Sequence, residues 1–396
     1  MKKLTLALLL LPFFGFSQNK AEKLAYKYII TDGHVDLPYR LKVKNFQLTK
    51  EFTGIPVSSE EGDFDYKRAK KGGLDAPFMS IYIPAALNPE EGRLLADSLI
   101  NMITYIADEN PDYFEIAKSP EDVRNTFKKG KIALPMGMEN GSPINDISDV
   151  AYFKKRGISY VTLTHSLSNH ICDSSYDTTR LWQGLSPFGE QVVTEMAKEG
   201  IMIDISHVSD STFYDVIKLS PIPVIASHSS VRYFTPGFER NMSDDMIKTL
   251  KENGGVIMIN FGSTFIDGEV QKIRNANGGA LLKILEEKGL KDSDEAAKPI
   301  IESFNKTHPL AFADVEKVVD HIDRVVSLAG IDHVGLGSDF DGVGDSLPTG
   351  LKDVSDYPNI IKLLMERGYS KKDIKKICSD NLFRVWQKTL DYAAAN

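Results

Sequence analysis

Short runs rich in Ile, Val, Leu and Met recur along the chain, each followed by a polar loop and then a segment with helical spacing. Eight such runs stand out: Tyr28–Thr31, Phe78–Ile83, Ile132–Met138, Tyr160–Thr164, Ile201–Ile205, Pro223–Ala226, Gly255–Asn260 and His333–Gly337. Most alternate little, as strands buried on both faces do. Between them, Glu90–Ala107 places Leu94, Leu95, Leu99, Ile100 and Ile103 on one side of a helix. Ser243 reads as the N-cap of a helix through Leu250, and Phe312–Leu328 and Ser370–Leu390 as strong late helices. Strands alternating with helices in this way predict an α/β fold, a (β/α)₈ barrel of the TIM type. The alternative is an open doubly wound sheet, but no G-x-G-x-x-G follows an early strand. The stretch 262–311 is long for a connection and is expected to be an insertion with helices of its own.

The start of the chain has a different pattern. Lys2 and Lys3 precede an apolar run from Leu4 to Phe14 and a small-residue zone at Gly15-Phe16-Ser17. Residues 1–17 read as a secretory signal, which predicts an exported protein, periplasmic or secreted, whose single barrel domain spans 18–396. The run is short for a membrane anchor, and no lipid-anchor signal closes the chain, so no anchor is expected after cleavage. Export permits a disulfide between Cys172 and Cys378, the two cysteines of the chain, but two free, partly buried thiols are the simpler reading.

Composition narrows the class. The 396 residues are 42% hydrophobic and 26% charged, which excludes disorder and a disulfide-dense miniprotein. A formal net charge of -8 without a basic cluster argues against nucleic acid as a partner.

The chemistry is concentrated where the apolar runs end. The sequence shows Asp32-Gly-His34-Val-Asp36, Gly137-Met-Glu139-Asn, Leu163-Thr-His165, Asp204-Ile-Ser-His207, Ala226-Ser-His228 and Gly337-Ser-Asp339-Phe-Asp341 at six of them. In a barrel all strand C-termini point to one face, so these ends would converge on one mouth. His34 and Asp36 are two apart and share a face on extended backbone, which suits Zn²⁺ or a similar divalent ion. Taken alone, Asp32–Asp36 could equally be an Asx turn, Glu139 a solvated loop residue, and each His a satisfied polar side chain. Together, His34, Asp36, Glu139, His207 and His228 form a donor set rich enough for two ions sharing a bridge. A water held there loses a proton near neutral pH and becomes a nucleophile for hydrolysis. Asp339 is a candidate ligand or proton shuttle. His170, His308, His321 and His333 fall outside this placement and read as structural or surface residues.

These motifs, with Arg240-Asn241, resemble the membrane (renal) dipeptidase family of zinc peptidases, in family order over nearly the whole chain. The resemblance implies two zinc ions per chain, with His34 and Asp36 on one, His207 and His228 on the other, and Glu139 bridging. It implies that a bridging hydroxide attacks and that His165 contacts the substrate and stabilises the oxyanion. Arg240 would bind the free carboxylate of a dipeptide, and Asp339 would carry the proton to the leaving amine. The resemblance extends to dipeptides with a D-residue in second place, and it leaves a homodimer open. One departure is Gly262 after Asn260-Phe261, where several members carry an aromatic residue; Gly implies more room or less contact near the substrate's amino end. A lactone, cyclic amide or phosphoester hydrolase of the amidohydrolase type is the rival, but many of those bridge their metals through a Lys on strand four, and Tyr160–Thr164 contains none. A binding protein that had lost catalysis would lack a ligand or Asp339, and all are present.

Overall fold

The computed structural model describes residues 13–396; residues 1–12, and with them most of the signal segment 1–17, lie outside the described residues. Among the described residues ten strands form: β1 (Ile30–Val35), β2 (Leu74–Tyr82), β3 (Phe114–Ile116), β4 (Ile132–Leu134), β5 (Met136–Glu139), β6 (Ile158–Thr162), β7 (Met202–Asp204), β8 (Ile225–Ser229), β9 (Val256–Ile259) and β10 (Val334–Leu336). Eight of them make one parallel sheet in the order β1-β2-β5-β6-β7-β8-β9-β10. The sheet closes on itself. Val35 bridges Phe340, the Asp36 amide donates to the Phe340 carbonyl at 2.8 Å, and the Asp339 amide donates to His34 O at 3.1 Å. Asp32 completes the seam by accepting from the amides of His34 and Ser338 and from the Tyr357 hydroxyl. The fold is therefore the barrel and not the open sheet.

The third predicted run is two strands. Pro135 interrupts it, lacking the N–H a ladder needs. Ile132–Leu134 pairs with β3 in a small side sheet, and Met136–Glu139 joins the barrel. The predicted Ser370–Leu390 helix is also broken, by a π turn at Lys376–Asp380. Such a turn frees backbone carbonyls, and Cys378 O accepts from Thr31 Oγ1 at 2.9 Å. Ser243 caps Asp244–Asn253 by accepting from the Met246 amide, and Asn88 closes a capping box on Pro89–Glu109. Between Phe261 and Ala313 the chain forms helices Gly268–Glu287 and Lys298–Thr307. Among the described residues, no helix is long and apolar enough to cross a membrane. Cys172 and Cys378 are buried free thiols.

Strand parity divides the core. Ala76, Phe78, Tyr160, Met202, Ile225, Val256 and Met258 form one apolar cluster with Phe383 and Trp386 of the last helix. Their neighbours Met79, Ile81, Val161, Ile203 and Ile257 belong to the larger cluster shared with the helical layer. Two positions further along the inward set come Ser80, Thr162, Asp204, Ser227 and Asn260, all buried. The barrel interior thus passes from apolar at its base to polar at its mouth. Gly137 permits this on β5, since a Cβ there would meet the Tyr160 ring at 2.0 Å.

Candidate metal centre

Glu139, at the end of β5, is the hub. Its Oε2 lies 3.2 Å from His34 Nε2, while its Oε1 lies 3.1 Å from both His207 Nε2 and His228 Nε2. His165 Nε2 stands 3.6 Å from the same Oε1, and Asp36 Oδ2 lies 3.5 Å from His34 Nε2. The five sequence-predicted ligands are thus within reach of one another, with His165 and Asp339 beside them. Three overlapping triads have mutually close ligand atoms: His34, Glu139 and His228; Glu139, His165 and His207; His34, Asp36 and Asp339.

The placement of these side chains involves backbone strain. Asn140, His207 and Asp339 have φ of 77°, 68° and 64°, in the left-handed region that non-glycine residues seldom enter. Each costs about 1–3 kcal/mol, tolerated where surrounding bonds over-determine the conformation. Asn140 is fixed by Ile83 O, the Ser142 amide and Asn169. His207 O accepts from the Ser175 amide at 2.8 Å, and Asp339 Oδ2 accepts from Asn260 Nδ2 at 2.8 Å.

Charge and burial tune the cluster. Burial alone would raise the Glu139 carboxyl, but the imidazoles of His34, His165, His207 and His228 around it hold it well below the ordinary range. Burial pushes His207 and His228 well down, reinforced by Arg240. Asp339 is pushed up to about 7 by burial and the nearby Asp36 carboxylate.

The donor set fits a divalent cation. His207 Nε2 and His228 Nε2 are only 2.8 Å apart and converge with a carboxylate oxygen. Asp36 Oδ1 is buried with no hydrogen-bond partner. Imidazole nitrogens and carboxylate oxygens converging in this way form a metal site.

A cavity of about 660 Å³ adjoins the cluster, lined by Asp36, Glu139, His165, His207 and Asp339 together with Tyr39, Tyr82, Tyr176, Phe265 and Val343. Arg240 is buried beside it, its guanidinium 5.8 Å from the Phe265 ring centre. Nη1 donates to Ser229 Oγ and Nη2 to His228 O, both at 2.7 Å, while Nε is buried and unpartnered. A Cβ on Gly262 would lie 2.8 Å from Phe265 Cδ2 and 2.9 Å from Val343 Cγ1. Those two side chains occupy the space over the Gly262 Cα.

Sequence reasoning did not reach the aromatic wall, because Tyr82 ends β2, Tyr39 and Phe265 sit in the short helices Leu37–Val43 and Ser263–Ile266, and Tyr176 lies in a loop, with no shared spacing. Asp341, which by itself reads as a turn residue, lines the cavity and is paired with Arg40 Nε at 3.0 Å. The other histidines lie elsewhere. His170 Nε2 bonds Ile144 O, His333 Nδ1 bonds Gly255 O, His308 stacks on Phe304, and His321 is buried between Val231 and Ile266.

The family described as membrane dipeptidase (peptidase family M19) matches residues 18–396. The chain belongs to this family. It is 33% identical over 374 residues to dipeptidase tcpJ of Claviceps purpurea, covering 92% of this chain and 78% of that protein. The crystal structure of the probable dipeptidase PvdM from Pseudomonas aeruginosa superposes with a TM-score of 0.81 at 26% identity, covering 96% of this chain and all of that one. A Rhodobacter sphaeroides metallopeptidase liganded with a phosphinate mimic of L-Ala-D-Ala shares the fold, with a TM-score of 0.75 at 22% identity over 91% of this chain and 99% of that one. This membrane dipeptidase family member is accordingly a peptide-bond hydrolase of the metallo-dipeptidase kind, and the donor cluster around Glu139 is its candidate metal site.

Proposed function

We propose that the chain hydrolyses free dipeptides, including those with a C-terminal D-residue, at a two-zinc centre held by His34, Asp36, His207 and His228 and bridged by Glu139. The observation that carries this reading is the division of the Glu139 carboxylate, one oxygen toward His34 and the other toward His207 and His228. Zinc bound there supplies Lewis acidity to the scissile carbonyl and lowers the pKa of the attacking water. The remaining work belongs to the chain. Arg240 has a buried, unpartnered Nε and both terminal nitrogens anchored, which suits it to hold the substrate carboxylate. His165 faces the cavity and stabilises negative charge on the carbonyl oxygen. Asp339, with a carboxyl near neutrality and an oxygen held by Asn260, accepts the proton of the attacking water and returns it to the leaving nitrogen. The ligand of the Rhodobacter protein makes the L,D stereochemistry the first to test. The reading of residues 1–17 as a secretory signal supports export, and periplasmic or secreted enzyme in cell fractions is the expected result.

The experiment is hydrolysis of an L,L and L,D dipeptide panel by zinc-loaded protein, with N-acetylated and C-amidated controls. Cleavage restricted to free-ended dipeptides, abolished by chelation and restored by zinc, is expected. Equal cleavage of C-amidated substrates would remove the role given to Arg240, and no cleavage by zinc-loaded protein would refute the substrate class.

A further inference from the structure

Two of the converging imidazoles have their outer nitrogens engaged by hydroxyls, and when each hydroxyl makes both of its hydrogen bonds one placement of the hydrogens satisfies them. His34 Nδ1 lies 2.8 Å from the Tyr160 hydroxyl. That hydroxyl carries one hydrogen and donates it to the Gly33 carbonyl at 3.0 Å, an atom that can only accept. The Tyr160 oxygen therefore accepts the His34 Nδ1–H. At His228 a serine and a carboxylate replace the tyrosine and the carbonyl. Its Nδ1 lies 2.7 Å from Ser227 Oγ, and Ser227 Oγ donates to Asp204 Oδ2 at 2.6 Å. Asp204 is itself fixed by Thr162 Oγ1 at 2.5 Å and by the amides of Ser206 and Ser227. Its carboxylate only accepts, so the Ser227 hydrogen is committed and Oγ takes the His228 Nδ1–H. By contrast, the Nδ1 atoms of His165 and His207 have no hydrogen-bond partner.

We propose that Tyr160 and Ser227 are positioning residues for the metal centre, each holding one imidazole in the Nδ1–H form, which leaves its Nε2 lone pair free for a cation held beside Glu139. A hydrogen bond at the outer nitrogen sets both the tautomer and the orientation of a metal-binding imidazole. The inference rests on the metal reading above. It also gives Gly137 a purpose, because the Tyr160 ring reaches His34 only by crossing the space a Cβ on β5 would occupy. The ring packs on Phe78 at 5.5 Å between centroids, so Tyr160→Phe keeps its apolar contacts and loses only the hydroxyl.

The test is metal binding, independent of turnover. Metal-free full-length wild type, Tyr160→Phe and Ser227→Ala are titrated with Co²⁺ against a competing chelator while the visible absorption of the bound ion is recorded. Tyr152→Phe is the control, since its hydroxyl, 2.8 Å from Asp97, belongs to the helical layer. Affinity should fall about ten- to a hundredfold in each site variant, with a changed Co²⁺ spectrum, and stay at the wild-type value in Tyr152→Phe. Wild-type affinity and spectrum in folded Tyr160→Phe would overturn the proposal, as would an equal loss in Tyr152→Phe. Should Ser227→Ala not fold, Tyr160→Phe alone decides. Wild type that binds no Co²⁺ would overturn the metal reading itself, which separates the two failures.

Discussion

Acidification from about pH 7 to about pH 4.5 should cost the fold about 2 kcal/mol through His321 alone. This side chain is fully buried; Nδ1 accepts from the Val231 amide at 3.0 Å and Nε2 donates to Ile266 O at 2.9 Å. A second proton would have to enter at Nδ1, where it meets a donor. Burial, aided by Lys317, lowers the pKa from 6.5 to about 4. Because the folded value is depressed, the contribution is complete above the unfolded pKa of 6.5 and is lost as the pH falls from there through about 4. The whole window is worth about 3 kcal/mol, most of it already lost near pH 4.5. Val231 follows β8, which carries His228, and Ile266 adjoins Phe265 of the cavity wall, so acid should loosen the mouth as well. The perturbation is His321→Gln, whose amide can accept from Val231 and donate to Ile266 but does not titrate in this range. Urea unfolding of both proteins at the two pH values gives a difference in which other titrating groups cancel. Wild type should lose about 2 kcal/mol more than the variant on acidification. Equal losses would refute the assignment of a depressed, neutral His321.

Asp339→Asn should retain metal and lose turnover by about 10²–10⁴-fold, the range for one general acid–base group, as read by kcat alongside metal content; unchanged kcat would remove its assigned role. Arg240→Lys should lower kcat/KM for free dipeptides by roughly tenfold or more, because a single ammonium nitrogen cannot span the Ser229 and His228 anchors and a substrate carboxylate as the guanidinium fork does; an unchanged kcat/KM would remove its assigned role. Gly137→Ala should lower the thermal midpoint, with overpacking of about 1–3 kcal/mol, and should weaken metal binding through the displaced Tyr160 ring. An unchanged midpoint would show that the ring has room to move.

The apolar runs and the residues that end them were legible because a parallel barrel imposes one rule on every strand: bury both faces and present the C-terminal end to the mouth. That rule alone gathered His34, Asp36, Glu139, His207, His228 and Asp339 before any coordinates. It did not reveal the parity that sends Phe78 and Tyr160 inward and Met79 and Val161 outward, since a run apolar on both faces has no visible period. Nor did it show Pro135 dividing one run into two strands of different sheets, or the π turn inside the last helix, whose freed carbonyl meets Thr31 from the far end of the chain. The aromatic wall, the Phe265 and Val343 side chains filling the space beside Gly262, and the hydroxyls behind His34 and His228 were decided only in three dimensions. Strand ends are specified by local pattern, but a wall assembled from a strand end, two short helices and a loop depends on where the fold brings each of those segments. The orientation of an imidazole depends on which hydroxyl the barrel's twist brings to its other nitrogen.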